Sequence, residues 1–292
     1  MIIFEILKAI LFGIVEGITE WLPVSSTGHM ILLDQIVKLN VSDEFYDMFQ
    51  VVIQLGAILA VVMIFWDKLW PFRMKKKKQI SADGSTKVKK APAWKKGALQ
   101  MWLKIIIACI PAAVVGILLD DKIDELFYHP IPVAIALILV GILFIIIEIV
   151  KKDTQPKIRK ISEISYRAAI IIGLFQLLAA IFPGTSRSGA TIIGALLIGV
   201  SRATAAQFTF FLAVPVMCGA SLLKFVKFII EGVSITGTEC VILLVGTWVA
   251  FAVSMLSISF LMSYVKKHDF KIFGAYRIVL GIVVIAASFL MK

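Results

Sequence analysis

The sequence predicts an all-α polytopic membrane protein: an inverted-topology repeat of six transmembrane helices plus two re-entrant helical hairpins. Three observations predict it. The 292-residue chain is 60% hydrophobic, with a mean hydropathy of +0.97, where a soluble domain is roughly half apolar. Six apolar runs reach about 20 residues, the length that crosses a bilayer core. Two more apolar regions, 2–39 and 166–200, are interrupted by "PVSSTGH" and "PGTSRSG". The whole chain, 1–292, reads as a single integral membrane domain.

Taken in order, region 2–39 is the first broken hairpin. Its start, "MIIFEILKAILFGIVEGITEW", lacks the basic opening and small-residue cleavage site of a signal peptide. Full-length spans follow at 45–66, 98–119 and 131–150. Between the first two lies loop 67–97, which holds eleven Lys or Arg residues and "RMKKKKQISADGSTKVKK". That composition predicts a solvated, mobile connector. The second broken hairpin, 166–200, precedes spans at 206–230, 240–264 and 272–291. Each hairpin reads as two half-length helices joined by a polar turn. Cys109, Cys218 and Cys240 show no metal or disulfide spacing, and are expected to be small core residues.

The two broken regions align at an offset of 160. Gly13 then matches Gly173, Glu16 matches Gln176, Pro23 matches Pro183 and Ser26 matches Ser186. The spans that follow correspond one to one. Repeat 1 covers about 1–150 and repeat 2 about 166–292. Each half holds one hairpin and three spans, an odd number, so the second half is expected to be inverted. Loop charge agrees. Loops 67–97, 151–167 and 265–271 are basic and fall on one side, the cytoplasmic one by the positive-inside rule. The opposite loops carry Asp120, Asp121, Asp124, Glu125, Glu231 and Glu239. The formal net charge of +11 is therefore a topology signal with a lipid head-group partner, and no nucleic-acid partner is expected. The two polar tips, entering from opposite sides, would meet inside the protein.

Glu16 and Glu20 lie at i and i+4, on one helix face. Two carboxylates so placed away from bulk water need a cation, a shared proton or a basic neighbour. Such a pair suits a hard divalent cation, Mg²⁺ or Ca²⁺; the structural alternative is acids placed near a helix start. Ser25, Ser26 and Thr27 precede a helical run, where one hydroxyl is explained by capping but three with His29 are not. Ser26 and His29 are candidates for nucleophile and general acid/base, in either assignment. In the second tip Arg187 brings a planar fork suited to phosphate oxygens, with Ser186, Ser188 and Thr191 as hydroxyl donors. Gln50 and Gln54 share a face of the 45–66 span and are expected to support the site or to pack between helices. Arg202 reads as a topology charge, Glu148 as interfacial, and His129 and His268 as loop residues without a role. An acidic side facing a cationic side, with Ser and His between, fits metal-assisted hydrolysis of a phosphate or diphosphate ester. So apolar a chain fits a lipid diphosphate whose tail stays in the bilayer.

"EGITEWLPVSSTGHMIL" and "PGTSRSGATI" resemble the two signature motifs of the undecaprenyl-diphosphatase, or bacitracin-resistance, family, and the layout is similar end to end. The resemblance implies hydrolysis of undecaprenyl diphosphate to undecaprenyl phosphate and inorganic phosphate. That step recycles the lipid carrier for peptidoglycan synthesis and raises bacitracin resistance. It also implies a multi-pass protein of the bacterial plasma membrane, its active site open to the outer face, acting on a long-chain prenyl diphosphate and pairing as a homodimer. By motif position, Glu16 and Glu20 resemble the metal-binding element, Ser26 and His29 the catalytic positions, and Arg187 the phosphate-binding arginine. Ser186 and Thr191 match supporting hydroxyls. The competing class is a lipid-phosphate transporter or flippase with the same inverted-repeat cavity. The Glu-Glu-Ser-His group separates the two, because transport needs no nucleophile.

Overall fold

A computed structural model describes residues 2–80, 86–230, 232 and 235–290. Residues 81–85 of the basic loop and Glu231 lie outside the described residues, as do the side chains of Asp120, Asp121 and Asp124. The chain is an all-α membrane protein, and the six long spans expected from composition are present. They are α3 (Asp43–Ile64), α5 (Lys96–Phe127), α6 (Pro130–Val150), α9 (Arg202–Ile230), α10 (Gly237–Tyr264) and α11 (Lys271–Leu290). All six are long and apolar enough to cross a bilayer. The broken regions give α1 (Ile2–Thr19) with α2 (Ser26–Ile36), and α7 (Tyr166–Ile181) with α8 (Arg187–Leu197). A short helix, α4 (Trp66–Leu69), follows α3.

Both ends of the first hairpin lie on one face. Lys8 Nζ donates to the Lys38 carbonyl at 2.7 Å, and Asn40 N donates to Glu5 Oε2 at 2.9 Å. Both ends of the second lie among the basic segments on the opposite face. There Lys157 N and Ile158 N donate to the Gly199 carbonyl, and Ser201 N to the Ile158 carbonyl. The principal helix pairings are α1 on α10, α7 on α5, α3 on α10, α3 on α9, and α6 on α11. Several contacts are backbone to backbone, which small residues permit. A Cβ added at Gly173 would lie 2.3 Å from the Ala108 carbonyl oxygen, and one at Gly13 would lie 2.6 Å from that of Gly246. The main core is aromatic at its centre, where Trp21, Phe208, Phe210 and Phe211 are almost wholly buried.

Four local expectations change. Cys109 is buried as expected, but Cys218 and Cys240 are exposed and so are not core residues. Residues 72–94 are no mere connector: β1 (Phe72–Ile80) pairs antiparallel with β2 (Thr86–Trp94), with Phe72 opposite Trp94. Their rings stand 4.3 Å apart, and Trp66 stacks on Trp70 at 4.6 Å beside them. Such cross-strand aromatic pairs stabilise a hairpin base. The run 120–127, expected as loop, continues α5, because Ile123, Leu126 and Phe127 keep the helical period. Phe127 then meets Phe182 edge-on at 5.2 Å. Glu148 is buried rather than interfacial. It pairs with Arg202 and accepts from Phe270 N at 3.1 Å, so Arg202 is a structural partner as well as a topology charge.

The Gly173 contact gives a direct test of the packing. Gly173→Leu would push α7 from α5 and is expected to lower stability by about 1–3 kcal/mol, read as a lower thermal midpoint in detergent. Gly116, whose added Cβ would meet nothing within 4 Å, is the control: Gly116→Ala should leave the midpoint unchanged or raised.

Candidate active site

Each hairpin turns into its second helix through a serine with left-handed backbone: Ser25 at φ 76° and Ser186 at φ 66°. Non-glycine residues seldom adopt this conformation, and its strain concentrates at functional sites. Ser186 Oγ accepts from Gly189 N at 3.2 Å and so caps α8. Ser25 is buried and its Oγ has no partner among the described residues. These two serines correspond to one another, so the second tips match at an offset of 161. Ser26 is therefore the counterpart of Arg187, rather than of Ser186 as the offset of 160 implies.

The corrected alignment shows how the tips join. Glu20 follows the end of α1, its amide still bonded to the Glu16 carbonyl at 3.0 Å. Ser26 Oγ donates to Glu20 Oε2 at 2.9 Å. Arg187 Nη2 donates to Glu20 Oε1 at 2.8 Å. One carboxylate is thus held on both oxygens by the first residues of α2 and α8. Arg187 Nη1 also donates to the Thr209 carbonyl at 3.1 Å, which fixes the fork against α9. Ser188 Oγ donates to the Glu20 carbonyl at 3.3 Å.

A cavity of about 420 Å³ adjoins this junction. Glu16, Ser26 and Thr27 line it on the hairpin side, and Gln50 and Gln54 on α3. Asp47, Tyr128 and Lys224 line it as well; they sit toward helix ends on the face opposite the basic segments. These last three escaped the sequence reading. Each is a polar residue beside or within an apolar run, and only the tertiary fold turns it toward the site. Glu16 is 1% exposed, and its Oε1 has no hydrogen-bond partner among the described residues.

Not every expected residue lines the cavity: Glu20 and Arg187 stand behind Ser26, linked to its wall by the Ser26–Glu20 hydrogen bond. His29 bonds elsewhere: Nδ1 donates to the Ser25 carbonyl at 2.7 Å, and Nε2 is 2.8 Å from the Tyr276 hydroxyl. Its ring stacks on Tyr276 at 5.6 Å. Thr191 is wholly buried, donating to the Arg187 carbonyl at 2.8 Å and sharing a hydrogen bond of 2.8 Å with Thr209 Oγ1. It braces α8 against α9. Ser186 Oγ lies 3.1 Å from Ser188 Oγ, within the same cap.

Two helical hairpins packed among six long apolar helices, joined by a carboxylate, a hydroxyl and a guanidinium beside a polar cavity, define a multi-pass membrane protein with a buried polar junction. Residues 9–283 match the family model of the bacitracin resistance protein BacA, and the chain belongs to that family. It is 58% identical over 285 residues to an undecaprenyl-diphosphatase of Desulfitobacterium hafniense, covering 98% of this chain and 96% of the relative. It is 59% identical over 281 residues to undecaprenyl-diphosphatase 1 of Clostridium acetobutylicum, covering 96% of each. An undecaprenyl-diphosphatase of Enterococcus faecalis is 56% identical over 281 residues, again covering 96% of each.

The Glu20–Arg187 pair is largely shielded, with side chains 10% and 12% exposed. Removing one partner leaves the other charge uncompensated. Arg187→Met is expected to destabilise by about 3 kcal/mol, and adding Glu20→Gln should recover part of that loss. Thermal unfolding of the two single variants and the double variant in detergent checks the sign of the coupling.

Proposed function

We propose that the chain is an undecaprenyl-diphosphatase that removes the terminal phosphate of undecaprenyl diphosphate. The observation that carries the reading is the shared grip on Glu20, one oxygen on a hydroxyl and the other on a guanidinium. The printed names of the relatives support the substrate.

In this reading Ser26 Oγ is the nucleophile. Its 2.9 Å hydrogen bond aims its proton at Glu20, the general base. Oγ forms a bond to the terminal phosphorus while the bond from phosphorus to the bridging oxygen breaks. Undecaprenyl phosphate leaves with that electron pair and takes the proton from Glu20. Water then attacks the phosphoserine with Glu20 as base. The serine oxygen regains a proton, and inorganic phosphate departs. Arg187 places positive charge beside the transferring phosphoryl group. What supports Ser26 over His29 is position: Ser26 lines the cavity, whereas both His29 nitrogens are engaged by Ser25 and Tyr276.

A hard divalent cation, Mg²⁺ or Ca²⁺, fits the donor set. Glu16 turns a carboxylate with an unpartnered oxygen to the cavity, and Gln50 and Gln54 supply amide oxygens on the facing wall. Glu16 would hold the ion together with Glu20. Among the described residues no group of three or more His, Cys, Asp or Glu forms a ready-made cage. Mg²⁺ needs none, since one or two carboxylates, water and substrate phosphate suffice. When bound, the ion would neutralise charge on the phosphate oxygens.

The cavity residues Asp47, Tyr128 and Lys224 lie away from the basic segments, which supports access from the outer face under the positive-inside rule. The opposed hairpin ends, and the reciprocal pairings α1 on α10 and α7 on α5, support an inverted repeat.

Purified protein should release inorganic phosphate from undecaprenyl diphosphate in a chelator-sensitive manner. Ser26→Ala and Glu20→Gln should each lower kcat by about 10²–10⁴, while His29→Phe should stay within about tenfold of wild type. Full turnover by Ser26→Ala would remove the serine from the mechanism. Lys224→Gln is expected to raise KM more than it lowers kcat, because Lys224 lines the cavity that would receive the head group.

A further inference from the structure

A second side chain ties the two tips together, and neither motif contains it. Arg277, in the second turn of α11, is wholly buried. Its Nη1 donates to the Pro23 carbonyl at 3.2 Å, and its Nη2 to the carbonyls of Gly184 and Thr185, each at 2.8 Å. Pro23 lies two residues before the left-handed Ser25. Gly184 and Thr185 immediately precede the left-handed Ser186. A single planar fork therefore holds both turns just ahead of the helices that begin with Ser26 and Arg187. The first turn of α8 is fitted to it: a Cβ at Gly189 would stand 3.1 Å from Arg277 Nη1. The preceding residue on α11 reaches the first turn by a second route, Tyr276 to His29 to the Ser25 carbonyl.

Burying a guanidinium is costly, and apolar residues of the same volume often pack a core more stably. Such a group is explained when its geometry does something an apolar residue does not. Here it offers rigid donors in one plane to carbonyls separated by about 160 residues of sequence. Lysine carries the same charge but has no fork, so it would hold one turn and release the other.

We infer that Arg277 is a positioning residue for the phosphohydrolase reaction: it fixes the register between the Ser26–Glu20 tip and the Arg187 tip. The inference rests on the function proposed above. It separates charge from geometry, because the site needs both tips in one arrangement, and a misplacement of about 1 Å costs on the order of 10² in rate.

The test compares wild type, Arg277→Lys and Arg277→Gln, each purified in detergent. The readouts are phosphate release from undecaprenyl diphosphate and thermal unfolding. Arg277→Lys is expected to elute and unfold close to wild type, with kcat reduced about a hundredfold and KM within about threefold. Its effect should be less than multiplicative with that of Arg187→Lys, since both disturb one alignment. Wild-type turnover by Arg277→Lys, or strictly multiplicative losses, would overturn the inference. So would activity that merely tracks the folded fraction in both Arg277 variants, which would leave Arg277 a structural residue only. If the wild type itself released no phosphate, the proposed function would fall and the inference with it. Wild-type turnover beside an unimpaired Arg277→Lys sinks the inference alone.

Discussion

Glu20 accepts a hydrogen bond from Ser26 on one oxygen and from Arg187 on the other, and the rest of the architecture serves to bring those three groups together inside a membrane. A carboxylate at this depth is unfavourable without a partner. The partners come from helix starts that a continuous span would not provide. The chain therefore breaks two helices and turns each through a strained serine. Irregular backbone is tolerated there because protein surrounds it. Glycine contacts such as Gly173 on Ala108 draw the half-helices close to the long spans, and the Trp21–Phe210 contact packs the first tip against α9.

The division of labour between the tips follows from their correspondence. Position for position, Ser26 and Arg187 open equivalent helices, yet one supplies a hydroxyl and the other a permanent charge. Glu16 and Gln176 occupy equivalent places on α1 and α7, and both are buried. Only the glutamate lines the cavity. The first hairpin thus carries carboxylates and a hydroxyl, and the second a guanidinium. Their chemistry is complementary only when the halves meet.

Much of this was legible in the sequence because hydrophobic run length and helical spacing are local properties. Six spans, two interruptions, and the residues Glu20, Ser26 and Arg187 follow from them. What sequence missed depends on rotation and on tertiary contact. At about 100° per residue, Ser26, Thr27 and Met30 share one side of α2, and His29 falls to the side of that face, toward Tyr276. The offset of 160 holds for Gly13 and Gly173, but the second turn carries one more residue, so the serine match slipped by one. The strands of 72–94 were hidden under a lysine-rich composition whose meaning lay in the aromatic residues at its two ends. Arg277 and Lys224 lie within apolar helices, and no local pattern marks which way they point. The hydrolase function, by contrast, is supported by near full-length similarity to named relatives.

The central claim is that a serine at the meeting point of two hairpins becomes phosphorylated during turnover. The stereochemical course at phosphorus tests it most directly, using a long-chain prenyl diphosphate whose terminal phosphorus is made chiral with sulfur and oxygen isotopes. Two successive in-line displacements, first by Ser26 and then by water, predict net retention in the released thiophosphate. Net inversion would mean that water attacks in a single step, and would contradict the account.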